Sequence, residues 1–378
     1  MNAGDAGAPA TGHPTMTMRG GGWVIVATVV LALAFIGWAV SGVFFGTRPV
    51  GGGSDPARYS FVLEPCLAER AFLVGSGNPR DFLRALDAPA TIPGAEMLRY
   101  NQEQRSKYVV TTDRVAGVVV GGEARAYPLA VLNAHEVCND VLGGVPIAVT
   151  YSPLTDSAVV FDRRVDGRTL RFKVSGLLYN SNLVMYDEPE EEAARATWTP
   201  SLWSQLGMRA IAGPEAAKAR RLEALPGVNI ASWRMWLAEH PETTVILPDP
   251  ATKDRYKEFS YARYCLTPRV DFPVQGLIPE SPEPTSAESA IAGAAAGGAR
   301  TRKSAVIEVR VGDARAAWSL AELANRADAQ GHVALEVGGV ALEATVQRTP
   351  LAAAVRAVDG RPVLVVPQLW FAHEARGW

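Results

Sequence analysis

An internal repeat constrains this fold more than any other feature of the chain. GGEARAYPLAVL at 121–132 matches VGDARAAWSLAEL at 311–323, and GGVPIAVTY at 143–151 matches GGVALEATV at 338–346. The turn sequence VDGR at 165–168 returns at 358–361, and MWLAEHP, around Trp236, is echoed by LWFAHEA at 369–375. The segment from Ser175 to Pro214 has no counterpart in the second copy. A tandem with a complete first unit and a shortened second one explains this pattern, and its length is not one of the regular solenoid periods.

Local patterning sets the class. Val115–Val120, Val145–Tyr151 and Ala158–Val165 are β-branched runs that predict strands. Asp166-Gly167 predicts a hairpin, because both central positions of such a turn favour positive φ. Arg80–Asp87 and Pro128–Cys138 read as short helices, the second with Pro128 at the first helical position. Ser232 caps a further helix that must stop before Pro241. Without a βαβαβ rhythm, these elements predict an α+β fold, mainly antiparallel sheet with short helices.

The run from Trp23 to Phe45 contains no charged residue. At about 1.5 Å per residue it spans roughly 35 Å, enough for a bilayer core of about 30 Å. We expect a single transmembrane helix at 21–45 behind a disordered head, 1–20, with the bulk outside the cytoplasm. Ala39 and Ser41 keep a cleaved signal open as an alternative. A linker at 46–58, a main domain at 59–280, a low-complexity linker at 281–303 and the shortened repeat at 304–378 follow. Acidic and basic residues nearly cancel, 39 against 37, so no nucleic-acid partner is expected. Three cysteines without a CxxC support neither a disulfide framework nor a thiolate metal site.

The polar residues concentrate around one loop. His135, Glu136, Asn139 and Asp140 fall at i,i+4 spacings if Pro128–Cys138 continues as helix. HEVCND lacks the second histidine of a zinc motif, so no metal or cofactor is expected, and hydrogen bonding at the helix end is the commoner role. Docking by Leu129, Leu132 and Val137 would bring His135 or Glu136 within about 8 Å of the Ser152–Ser157 loop, a gap one water could bridge. Ser152 with His135 as base and Glu136 nearby forms the catalytic reading, although no GxSxG elbow surrounds the serine. Arg125, Tyr127, Asn139, Asp140, Tyr151, Thr155 and Ser157 are the candidate ligand contacts. Arg125, Asp162, Arg163 and Asp187 suit an anion or cross-strand pairing, and Trp203, Trp233 and Trp236 suit a core.

RAYPLAVLNAHEVCND, GGVPIAVTYSPLTDSA, VVFDRRVDG, VSGLLYNSNLVMYD, SLWSQLGMRAIAGP and SWRMWLAEHPETTVI occur in this order. Together they resemble the bacterial and archaeal family called domain of unknown function 3179, over about Arg80 to Leu247, with its terminal tryptophan-phenylalanine-alanine element echoed at Trp370–Ala372. The resemblance implies an extracytoplasmic, anchored or secreted protein with no settled reaction. It also implies a cysteine at the position of Ser152, often a second at Thr155, and, in some relatives thought to carry selenocysteine, redox chemistry. A hydroxyl has neither the low pKa nor the oxidation states of a thiol. The lost thiol favours a ligand-binding or interaction module over an altered redox enzyme or a serine hydrolase. The insertion EPEEEAARATW after Asp187 is expected to be a solvated loop.

Overall fold

The computed structural model describes residues 27–32, 50–104, 107–249, 256, 261–277 and 301–378. The chain forms two compact units, Met1–Pro49 and Val50–Trp378. In the first, residues 27–32 are helical. The rest of the expected anchor, the head at 1–20 and most of the linker at 281–303 lie outside the described residues. No helix among the described residues is long and apolar enough to cross a membrane. From Val50 onward the expected tether is docked: Val50 O and Ser54 O accept from Arg80 N and Gly75 N.

Residues 50–378 are mainly antiparallel sheet with short helices. Three short strands come first: β1 (Leu73–Gly75), β2 (Leu86–Asp87) and β3 (Thr91–Pro93). Arg80–Asp87 is thus no helix. Asp81 adopts φ 59, which breaks helical geometry, and its carboxylate accepts from Tyr186 Oη.

The first repeat unit comprises β4 (Arg114–Val120), β5 (Glu123–Pro128), a helix Leu129–His135, β6 (Val137–Leu142), β7 (Val145–Ser152) and β8 (Ser157–Asp162). After it come β9 (Arg164–Val165), β10 (Arg168–Tyr179), β11 (Asn182–Pro189), β12 (Leu202–Ser204) and β13 (Arg209–Ala212). Then β14 (Val228–Ser232) leads into a helix Trp233–Glu239, followed by β15 (Thr244–Ile246). As the sequence suggests, Ser232 Oγ caps that helix by accepting from Met235 N at 3.2 Å.

The second unit repeats the order: β16 (Ala305–Val311), β17 (Ala314–Ser319), a helix Leu320–Arg326, β18 (His332–Val337), β19 (Val340–Arg348) and β20 (Leu351–Ala357). It closes with β21 (Leu364–Leu369) and a helix Trp370–Glu374. Pairing repeats as well. The sheet β14-β4-β5 recurs as β21-β16-β17, and β6-β7-β8 recurs as β18-β19-β20. With the sheet β1-β10-β11-β12-β13 this gives five sheets in a propeller-like repeat. That last sheet is the part the second unit lacks.

Two sequence alignments of the repeat need correction. The β4–β5 turn sets Val120 opposite Glu123, while the β16–β17 turn sets Val311 opposite Ala314. Arg315 therefore takes the place of Ala124, not of Arg125, and the shared ARA string is one residue out of register. A one-residue slip puts a side chain on the other face of its sheet. Similarly, Trp233 and Trp370 both open their helices, so His373, not Trp370, takes the place of Trp236. The VDGR turns also differ. The first joins paired strands β9 and β10 with Asp166 at φ 51 and Gly167 at φ 72, as the hairpin reading requires. The second joins β20 to β21, which belong to different sheets, and is a corner.

Candidate functional site

The helix that was to carry the site ends early. Leu129–His135 is helical, Glu136 turns left-handed at φ 57 as its C-cap, and Val137 starts β6. Asn139 and Asp140 thus lie on a strand and point to opposite faces, so neither i,i+4 pair exists. Pairing with β7 across the Gly143-Gly144 turn outweighs the weak helical preference of Val137, Asn139 and Val141.

This break separates the predicted residues into distinct groups. His135 is buried, with Nδ1 2.5 Å from Arg84 O and Nε2 2.8 Å from Tyr256 Oη. Glu136 accepts from Tyr261 Oη at 3.2 Å, and burial pushes its carboxyl up to about 7 against the weaker pull of that bond. Its backbone O accepts from Tyr151 N, which ties the helix end to the strand entering the loop. Asp140 accepts from Arg125 Nη1 at 2.7 Å and Tyr127 Oη at 2.8 Å, a cross-strand group. Asn139 bonds Asp87 and both backbone groups of Phe172. Tyr151 Oη donates to Asp156, which also pairs with Arg114. Asp162 accepts from Arg164 Nε, and Arg163 Nη1 donates to Leu170 O. Asp187 accepts from Ser201 N, and burial raises its carboxyl to about 6.

Around the loop itself the structure brings together Ser152, Thr155 and Ser157. Thr155 Oγ1 and Ser157 Oγ are 2.8 Å apart, and Asn182 Nδ2 reaches both, at 2.9 and 3.1 Å. Gln205 Oε1 accepts from Ser157 Oγ and Asn182 Nδ2, each at 2.7 Å, while its Nε2 donates to Thr150 Oγ1. Ser152 Oγ accepts from Leu183 N at 3.3 Å. All six side chains are buried and none is charged. Sequence reasoning missed Asn182 and Gln205, although both stand in the quoted motifs VSGLLYNSNLVMYD and SLWSQLGMRAIAGP.

The turns that deliver this network are strained. Glu136, Asp156, Asn180, Ser181 and Met208 all have positive φ, at 57, 46, 52, 62 and 52. Asp and Asn tolerate this region, but Glu, Ser and Met hold it only when their surroundings impose it. Ser181 is fully buried, with its hydroxyl against the Tyr264 phenol.

A family model described as a protein of unknown function, DUF3179, matches residues 89–374. The chain belongs to the DUF3179 family. The match runs across both repeat units, so the DUF3179 domain includes the shortened second one. No match is found among curated proteins or among solved structures. Among the described residues, no group of three or more His, Cys, Asp or Glu side chains could hold a metal ion. In this DUF3179 chain the Thr155 hydroxyl belongs to a neutral interior network, the Ser152 hydroxyl beside it bonds Leu183 N, and His135 makes its bonds elsewhere.

Proposed function

We propose that this DUF3179 protein is a membrane-anchored, extracytoplasmic binding module that takes a small polar ligand where the Ser152–Ser157 loop, the 180–182 turn and the end of the Leu129–His135 helix meet. The clustering of left-handed, non-glycine residues around one buried neutral network carries this reading. Each such residue costs of order 1–3 kcal/mol, and such strain gathers at functional sites. The uncharged run at Trp23–Phe45 supports the anchor.

The test is mass spectrometry of small molecules released when freshly purified full chain is denatured. We expect one compound in near-equimolar amount, lost from Ser181→Ala and Glu136→Gln. No compound, or equal retention by both variants, would refute the site.

One observation favours a second reading, catalysis. A buried carboxyl at about 7 beside a histidine can both give and take a proton near neutral pH. A reaction whose rate follows one ionisation near pH 7 and vanishes in Glu136→Gln would favour it.

A further inference from the structure

Where the first unit has a packing contact, the second has a pair of ionisable groups. Gly117 lies opposite Ala126 and Glu308 opposite Ala317, so the two occupy equivalent strand positions. In the first unit Trp236 covers that position so closely that a Cβ on Gly117 would fall 2.2 Å from its ring. In the second unit Glu308 replaces the glycine and His373 replaces the tryptophan, with His373 Nδ1 2.6 Å from Glu308 Oε2. Gln368 and Arg310 also bond this carboxylate, which is almost wholly buried. Burial favours its protonated form, but His373 and Arg310 hold the carboxyl below its ordinary value. A carboxylate only accepts, so Nδ1 carries the proton of this bond and Nε2 is the nitrogen turned away from Glu308. No described residue bonds Nε2.

His373 lines a cleft of about 860 Å³ together with Arg302, Arg315, Arg376, Trp370 and Trp378. Glu374 also lines it, so among the lining side chains three guanidinium groups stand against one carboxylate. Neither Arg315 nor Arg376 forms an ion pair with a described residue. Arg125, the residue that the shared ARA string would equate with Arg315, is paired with Asp140. The register places Arg315 on the other face of its sheet, exposed and without such a partner. Guanidinium groups bind carboxylate and phosphate oxygens in bidentate fashion, and tryptophan faces take a flat body.

We propose that this cleft binds a small organic oxyanion with a flat body, held by Arg315 and Arg376, to which the Glu308-oriented His373 presents Nε2. The site is separate from the Ser152 junction and does not depend on it.

The experiment is titration of the full chain in mild detergent with phenyl phosphate and with benzoate, followed by calorimetry and by the histidine ring signals in NMR. The two probes distinguish a phosphate ester from a carboxylate. We expect saturable one-to-one binding of at least one of them, with a shift of the His373 signal. The double variant Arg315→Ala, Arg376→Ala should weaken it at least tenfold while leaving the melting temperature unchanged, since both side chains are exposed. Saturation by neither probe, equal binding of uncharged phenol, a static His373 signal or unchanged affinity in the double variant would each overturn the proposal.

Discussion

Glu136 combines a left-handed backbone with a buried carboxyl. Its carboxyl titrates at about 7 in the folded protein instead of 4.5. The folded state therefore holds the proton more tightly, so the residue destabilises the fold progressively as pH rises from about 4.5 to 7. At about 1.4 kcal/mol per pH unit this reaches about 3 kcal/mol. Denaturant melts at pH 5 and pH 8 should show wild type losing stability between them by about that amount more than Glu136→Gln does. An equal loss in both proteins would contradict it. At Ser152, substitution by alanine leaves Leu183 N without its 3.3 Å acceptor, a loss of about 1 kcal/mol that leaves the fold intact. Ser152→Cys puts a thiol in the loop. If this junction opens to admit a ligand, the thiol alkylates in the native state at a rate well above that of the buried Cys138; a rate equal to that of Cys138 would count against the junction. The hydroxyls of this loop were legible from the sequence because they fall within one short stretch after a strand. Asn182 and Gln205 were not, because strands 25 and 48 residues beyond Ser157 deliver them, and local periodicity carries no information about such pairings.

Among the elements, the strands, the Asp166-Gly167 hairpin and the Ser232 cap follow directly from local chemistry. The repeat was visible as well, but its register was not. Identity over short strings such as ARA weighs all positions alike, whereas a strand's register is fixed by its turn and its buried face. The helix through Pro128–Cys138 was overextended for a related reason: a β-branched residue after His135 reads ambiguously until its partner strand is known. The same register leads to a prediction. Gly117→Ala must push against Trp236 and should destabilise the protein by about 1–3 kcal/mol, as overpacked cores do. The equivalent second-unit substitution, Glu308→Gln, keeps the volume and should alter the His373 ring signals far more than the melting temperature. Equal melting temperatures for Gly117→Ala and wild type would show that the Trp236 contact relaxes freely.

At the scale of the molecule, Val50–Trp378 should stand alone. Deleting residues 1–49 is expected to release a folded protein from the membrane fraction, and a reporter fused after Trp378 should be active only outside the cytoplasm. Cytoplasmic reporter activity would overturn the proposed topology. Family and class could be read from the sequence; the interlocking of distant parts could not. Asn180 Nδ2 donates to Arg376 O, and Tyr179 Oη and Arg209 donate to Gly377 O. A ribosome that has just made the strained turn beside Asn182 must add 95 more residues before Gln275 N reaches Asn180 Oδ1, and 196 before Arg376 O accepts from Asn180 Nδ2. Until the last of these arrives, a sheet whose strands are all made by Ala212 lacks the C-terminal segment that covers its turn, which makes this stretch of synthesis the period when the chain is most exposed to aggregation and most in need of a chaperone.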